Sequence, residues 1–163
     1  MKNAFLNLPL LCFIFGITAS FIWGLDIKST ELSENNLTYD SYELFKMIIS
    51  NNLIVNLIIL LGFLTLGVSS LAILAYNGYI FGICLQSLPL DKILYNFLSY
   101  SILESLAFII SCRLALYLSS IVWKNILLNM KLKINVITVI KHTSFAVIST
   151  LTASIIEVYV SIN

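Results

Sequence analysis

Charge is scarce in this sequence. Only 10% of its 163 residues are Asp, Glu, Lys or Arg, against about 25% in soluble domains. Hydrophobic residues make up 60% and mean hydropathy is +0.99, more apolar surface than a soluble core of this size can hide. A net charge of +1 supplies no basic surface for nucleic acid. Arginine and histidine each occur once, as Arg113 and His142. A histidine-ligated metalloprotease therefore lacks its ligands, and HExxH, GxSxG, P-loop and CxxC patterns are missing as well. Cys12, Cys84 and Cys112 are odd in number, lie in apolar runs and have no ligand spacing, which marks them as packing residues. No metal and no cofactor is expected.

What remains is a chain of long, continuous apolar runs. A closed barrel would show short strands alternating polar and apolar residues. The expected fold is therefore all-α, a polytopic transmembrane helical bundle forming a single integral membrane domain over 1–163. About five membrane segments are predicted, at 8–25, 53–75, 77–89, 94–122 and 137–160. Thr18-Ala19-Ser20 loosely resembles a signal-peptide cleavage site, but the run continues through Phe21, Ile22 and Trp23, so a retained first helix is expected. The stretch 53–90 is too long for one span and short for two. Asn77-Gly78 reads as the break, followed by a short helix that ends near Pro89. Broken helices at membrane depth need protein or water around the freed backbone groups and often mark binding sites in transporters. The plainer reading is a turn between two helices.

Charge sets the orientation. The stretch 26–50 carries Asp26, Glu31, Glu34, Asp40 and Glu43 against Lys28 and Lys46. The loop around 123–136 is basic, with Lys124, Lys131, Lys133 and Lys141 in and beside it. By the positive-inside rule Lys2 and the lysine loop are cytoplasmic and the acidic stretch is an external loop. Five crossings satisfy this, whereas four would put the lysines outside. Residues 38–49 form an amphipathic pattern within the acidic stretch.

Glu104 stands where a carboxylate is expensive. It interrupts an apolar run over 97–118, and an ionisable group at that depth costs about 2.5–3.5 kcal/mol on insertion scales. On a helical projection Ser101, Glu104, Ser105, Phe108, Cys112, Ala115 and Ser119 share about one third of the circumference. In the last run Thr143, Thr150, Ser154, Glu157 and Ser161 align in the same way. Small polar stripes favour close helix packing, so Glu104 and Glu157 are expected on adjoining inner faces in the outer half of the membrane. The plainer reading of each is a structural polar contact hydrogen-bonded to Ser, Thr or Asn. Arg113 lies about half a turn away from Glu104 on the helix and cannot pair with it there. It reads as an anchor that reaches another helix or snorkels toward the cytoplasmic face. His142 reads as an interfacial residue.

Several elements recur in order: Asn51-Asn52 ahead of a Gly-bearing stretch with Gly62 and Gly67, then Asn77-Gly78-x-x-x-Gly82, then Ile102-Leu103-Glu104, then Ala153-Ser154-Ile155-Ile156-Glu157. Together they resemble the stage II sporulation protein M family of bacterial membrane proteins, from about residue 51 to the C-terminus. The family usually carries His-Gly where this chain has Tyr100 and Ser101, so proton chemistry that relies on that histidine loses its support here. The resemblance implies location in the bacterial cytoplasmic membrane and one of two settings. Sporulation members sit in a complex with peptidoglycan hydrolases during engulfment. Small members occur beside genes for circular bacteriocins and an ABC-type ATPase. The short chain, its compact outer loop and its many Asn, Lys and Ile residues favour the second setting, in a Gram-positive source.

The expectation is thus a non-enzymatic membrane subunit. It would help in production, export or immunity of a bacteriocin-like peptide, with an ATPase docking on Lys124, Lys131, Lys133 and Lys141. Its partners would be the lipid bilayer, other membrane proteins, a peptide substrate and further copies of itself. The buried polar site or pathway is assigned to Asn77, Gly78, Tyr100, Ser101, Glu104 and Glu157. One alternative is a scaffold for cell-wall remodelling in sporulation. The other is a membrane-embedded peptide-maturation enzyme with Glu104 and Glu157 as acid and base, which would need both carboxyls within reach of one substrate atom.

Overall fold

A computed structural model describes residues 4–23 and 40–162, and those residues are helical with short connections. The helices are α1 (Ala4–Trp23), α2 (Ser41–Leu61), α3 (Val68–Ser87), the single turn α4 (Leu90–Lys92), α5 (Leu98–Leu127) and α6 (Val136–Ile162). A 3-10 turn, Gly62–Thr65, extends α2, and a π-helical turn, Ile93–Phe97, leads into α5. Ser41–Thr65, Val68–Ser87, Leu98–Leu127 and Val136–Ile162 are long and apolar enough to cross a membrane, and α1 adds a shorter apolar helix. Residues 26–39 of the predicted acidic loop, 26–50, and Lys2 lie outside the described residues. Its amphipathic end does not stand apart, because residues 41–50 are the first half of α2.

The helix break lies elsewhere than the sequence suggests. Asn77 and Gly78 sit inside an unbroken α3. The Asn77 side-chain amide donates to the Ile73 carbonyl of its own helix at 2.8 Å, and the helix continues through it to Ser87. Breaking it there would strand amide and carbonyl groups at membrane depth, where each unmet group costs several kcal/mol, against about 1 kcal/mol for retaining a helical glycine. The chain reverses instead at Leu66 and Gly67, with φ of 58° and 83°. Gly67 can hold that left-handed conformation without strain, and its N–H returns to the Gly62 carbonyl at 3.0 Å. Thr65 Oγ1 then accepts the Ser69 N–H at 3.2 Å and caps the start of α3. The two predicted segments at 53–75 and 77–89 are therefore α2 and α3, divided at 62–67.

Contacts fix the directions. Along α1 and α3, Phe13 meets Gly78, and Ser20 meets Gly82 and Gln86, so these two helices run parallel. Along α2 and α5, Asn52 meets Glu104, Asn56 meets Ser111, and Phe63 meets Trp123, again in parallel. α6 returns against α5. Five segments thus alternate through the bundle. The start of α1, the 62–67 turn and the lysine-bearing 128–135 connection share one end. The end of α1, the start of α2, α4 and the end of α6 share the other. The core between them holds Phe13, Ile59, Leu74, Phe108, Cys112 and Leu116.

This alternation gives the charge-based orientation a direct test. With Cys12, Cys84 and Cys112 replaced, Asp91→Cys should react with a membrane-impermeant maleimide in intact cells, and Lys131→Cys should react only after permeabilisation. Labelling at 131 and protection at 91 would invert the assignment.

Candidate functional site

The two deep carboxyls meet. α5 and α6 pack along their small polar stripes, with Ser101, Ala107, Cys112, Ala115 and Ser119 buried on one and Ala146, Ser149, Thr150, Ala153 and Ser154 on the other. Side chains this small let the backbones approach. That approach brings Glu104 and Glu157 within hydrogen-bonding distance of each other. Tyr100, one turn before Glu104, lies within electrostatic reach of both carboxyls. Phe97 packs edge-on against Tyr100 at 6.0 Å between ring centroids.

The third helix at the site is α2. The Asn52 side-chain amide donates to Glu104 Oε1. One turn further along α2, the Asn56 amide donates to the Asn52 carbonyl at 3.0 Å and to Thr150 Oγ1 at 3.0 Å, while Asn56 Oδ1 accepts from Ser111 Oγ at 2.6 Å. A polar seam therefore runs between α2, α5 and α6, from the carboxyl pair inward. Beyond Asn56 it borders a cavity of about 170 Å³ lined by Ser111, His142, Thr143 and apolar side chains including Leu57 and Leu114.

Other sequence candidates fall elsewhere. Ser101 is buried, but its hydroxyl donates to the Phe97 carbonyl at 2.6 Å, closing the π-helical turn instead of joining the carboxyls. Asn77 binds its own helix, and Gly78 faces α1, so neither belongs to this seam. Lys124, Lys131, Lys133 and Lys141 are exposed at one end of the bundle, and Lys124 borders a groove with Trp123, Leu116 and Leu66. Among the described residues no cluster of His, Cys, Asp or Glu could hold a metal ion. Asn52 and Asn56 were missed as partners of the acid. Their spacing of four in an otherwise apolar run places both on one helix face, and that was the available signal.

Neither a curated protein nor a solved structure matches the chain. The pattern described as stage II sporulation protein M matches residues 8–162, well beyond the stretch from residue 51 that carries the sequence resemblance. With nearly its whole length matched, the chain belongs to the stage II sporulation protein M family, as a membrane protein of that family.

Proposed function

We propose that this protein is a non-catalytic subunit of a bacterial cytoplasmic-membrane assembly. In this reading it helps to produce, export or confer immunity to a bacteriocin-like peptide, working with an ABC-type ATPase at its lysine-rich end. The observation that carries the non-catalytic part is the closure of Glu104 on Glu157 and Asn52. An acid–base pair must reach a common substrate atom, whereas here the carboxyls satisfy each other inside the bundle. The exposed lysines of the 128–135 connection and the neighbouring Trp123 groove support a docking role for that end.

Charge reversal tests the reading. In a producing strain, Lys124→Glu/Lys131→Glu/Lys133→Glu should leave the protein folded in the membrane. It should lose co-purification with the ATPase and lower the secreted peptide or the self-immunity by at least about tenfold, since charged contacts across an interface are worth about 1.5 kcal/mol or more. Unchanged peptide titre and immunity, with delayed engulfment in the deletion strain, would instead favour the cell-wall scaffold.

A further inference from the structure

A second polar constellation shares His142 with the cavity at the far end of the carboxyl seam. Arg113 of α5 and Lys141 and His142 of α6 converge with Ile110 and Phe145 on a groove of about 210 Å³. Lys141 and Phe145 are exposed, and Arg113 and His142 are half-buried, so the groove opens outward between the two helices. The groove lies near the start of α6. The Asn135 N–H bonds Tyr117 Oη at 3.0 Å, so α6 begins level with Tyr117. Arg113 is one helical turn below that level, about 6 Å, and Lys141 is about 8 Å into α6.

These cations lack a carboxylate partner among the described residues. Asp40, Glu43 and Asp91 are at the opposite end of the bundle, and Glu104 and Glu157 are engaged with each other and with Asn52. A guanidinium without a counter-ion beside apolar side chains is costly, and the described residues do not supply the missing charge. The donors suit a phosphate: a planar guanidinium fork that can bind two oxygens, and an ammonium as a point charge. His142 Nδ1 donates to the Thr138 carbonyl at 2.8 Å, which holds the ring against its own helix at the wall of the groove. Ile110 and Phe145 provide an apolar floor next to these donors, as an acyl chain requires.

We propose that Arg113 and Lys141 form a binding site for the phosphodiester headgroup of an anionic phospholipid, whose chain lies along Ile110 and Phe145. Basic pockets between transmembrane helices are suited to such headgroups. This site does not require the peptide-handling reading: its test reads lipid retention, and Lys131 and Lys133, reversed in the docking test, serve as its control.

The experiment titrates phosphatidylglycerol against phosphatidylcholine into the detergent-purified full chain and counts retained lipids by native mass spectrometry. Wild type should retain one phosphatidylglycerol in preference to phosphatidylcholine. Arg113→Gln/Lys141→Gln should weaken retention about 25-fold, from about fivefold per cation near a membrane surface. The control Lys131→Gln/Lys133→Gln should retain the lipid as wild type does. If the double variant does not fold, Lys141→Gln alone, at an exposed position, should still lose about fivefold. Equal retention of both lipids by wild type, undiminished retention by the folded variants, or an equal loss in the control would overturn the site. Displacement by millimolar glycerol phosphate would overturn the lipid assignment in favour of a soluble phosphate ligand.

Discussion

Replacing Gly78 with leucine should remove most folded protein from the membrane, whereas Asn77→Ala should be nearly silent. α1 and α3 approach backbone to backbone. A Cβ on Gly78 would overlap the Phe13 carbonyl oxygen and lie 3.0 Å from its carbon. One turn further, a Cβ on Gly82 would overlap Ser20 Oγ and sit 3.1 Å from the Ile17 carbonyl oxygen, and from the α1 side Gly16 meets the Ala75 carbonyl in the same way. Overpacking costs about 1–3 kcal/mol where side chains can move aside. Here the obstacle at Gly78 is main chain, so the cost should reach or exceed the top of that range. Lipid chains are as apolar as leucine, so the separated helices gain nothing from the added side chain, and close packing is what holds them together. Asn77 by contrast spends its amide on its own helix, a bond the helix does not require. Fluorescence-detected size exclusion of a solubilised fusion protein measures the folded amount directly. A monodisperse Gly78→Leu peak of normal height would show that the crossing is looser than its geometry, and an equal loss in Asn77→Ala would return weight to a local break.

The same positions show what a sequence can and cannot reveal. The five apolar segments were legible because a bilayer forces long uninterrupted runs. The inward face of Glu104 and Glu157 was legible because helical periodicity aligns each acid with small residues. Gly78 was misplaced because an Asn-Gly pair serves equally as a turn and as a site of close helix approach, and local sequence does not say whether another helix lies against it. The real reversal at Leu66-Gly67 was obscured by its apolar setting and by a leucine at positive φ, a conformation that no composition rule assigns to leucine. Asn52 and Asn56 entered the reading only as part of a family resemblance or not at all. Their role depends on α2 running parallel to α5, which is a property of the whole chain path. Arg113 was assigned an anchoring role, yet the groove it shares with Lys141 and His142 depends on the level at which α6 begins.

Glu104→Gln should fold as wild type and abolish function, while Glu104→Leu should fail to fold. The glutamine carbonyl oxygen can still accept the Asn52 amide, and its NH₂ can still donate to Glu157, so both contacts of the native side chain survive. Leucine leaves the Asn52 amide without its acceptor and Glu157 without its partner. Each buried group so stranded costs about 1–3 kcal/mol, more for a charged one, a large share of the stability of a small bundle. What glutamine removes is the carboxyl's capacity to gain and lose a proton at this point in the seam. If peptide handling uses that capacity, complementation of a deletion strain should fall to background with Glu104→Gln, at unchanged protein level. Glu157→Gln should do less harm, because Glu157 lies within two turns of the end of α6 and water can substitute for it there. Size-exclusion profiles and complementation measured on the same variants separate folding from function. If both glutamine variants fold and complement fully, proton exchange at the pair is not used. The carboxyls would then be a hydrogen-bonded clasp joining α2, α5 and α6, and the protein's role would rest on its surfaces, as the cell-wall scaffold requires.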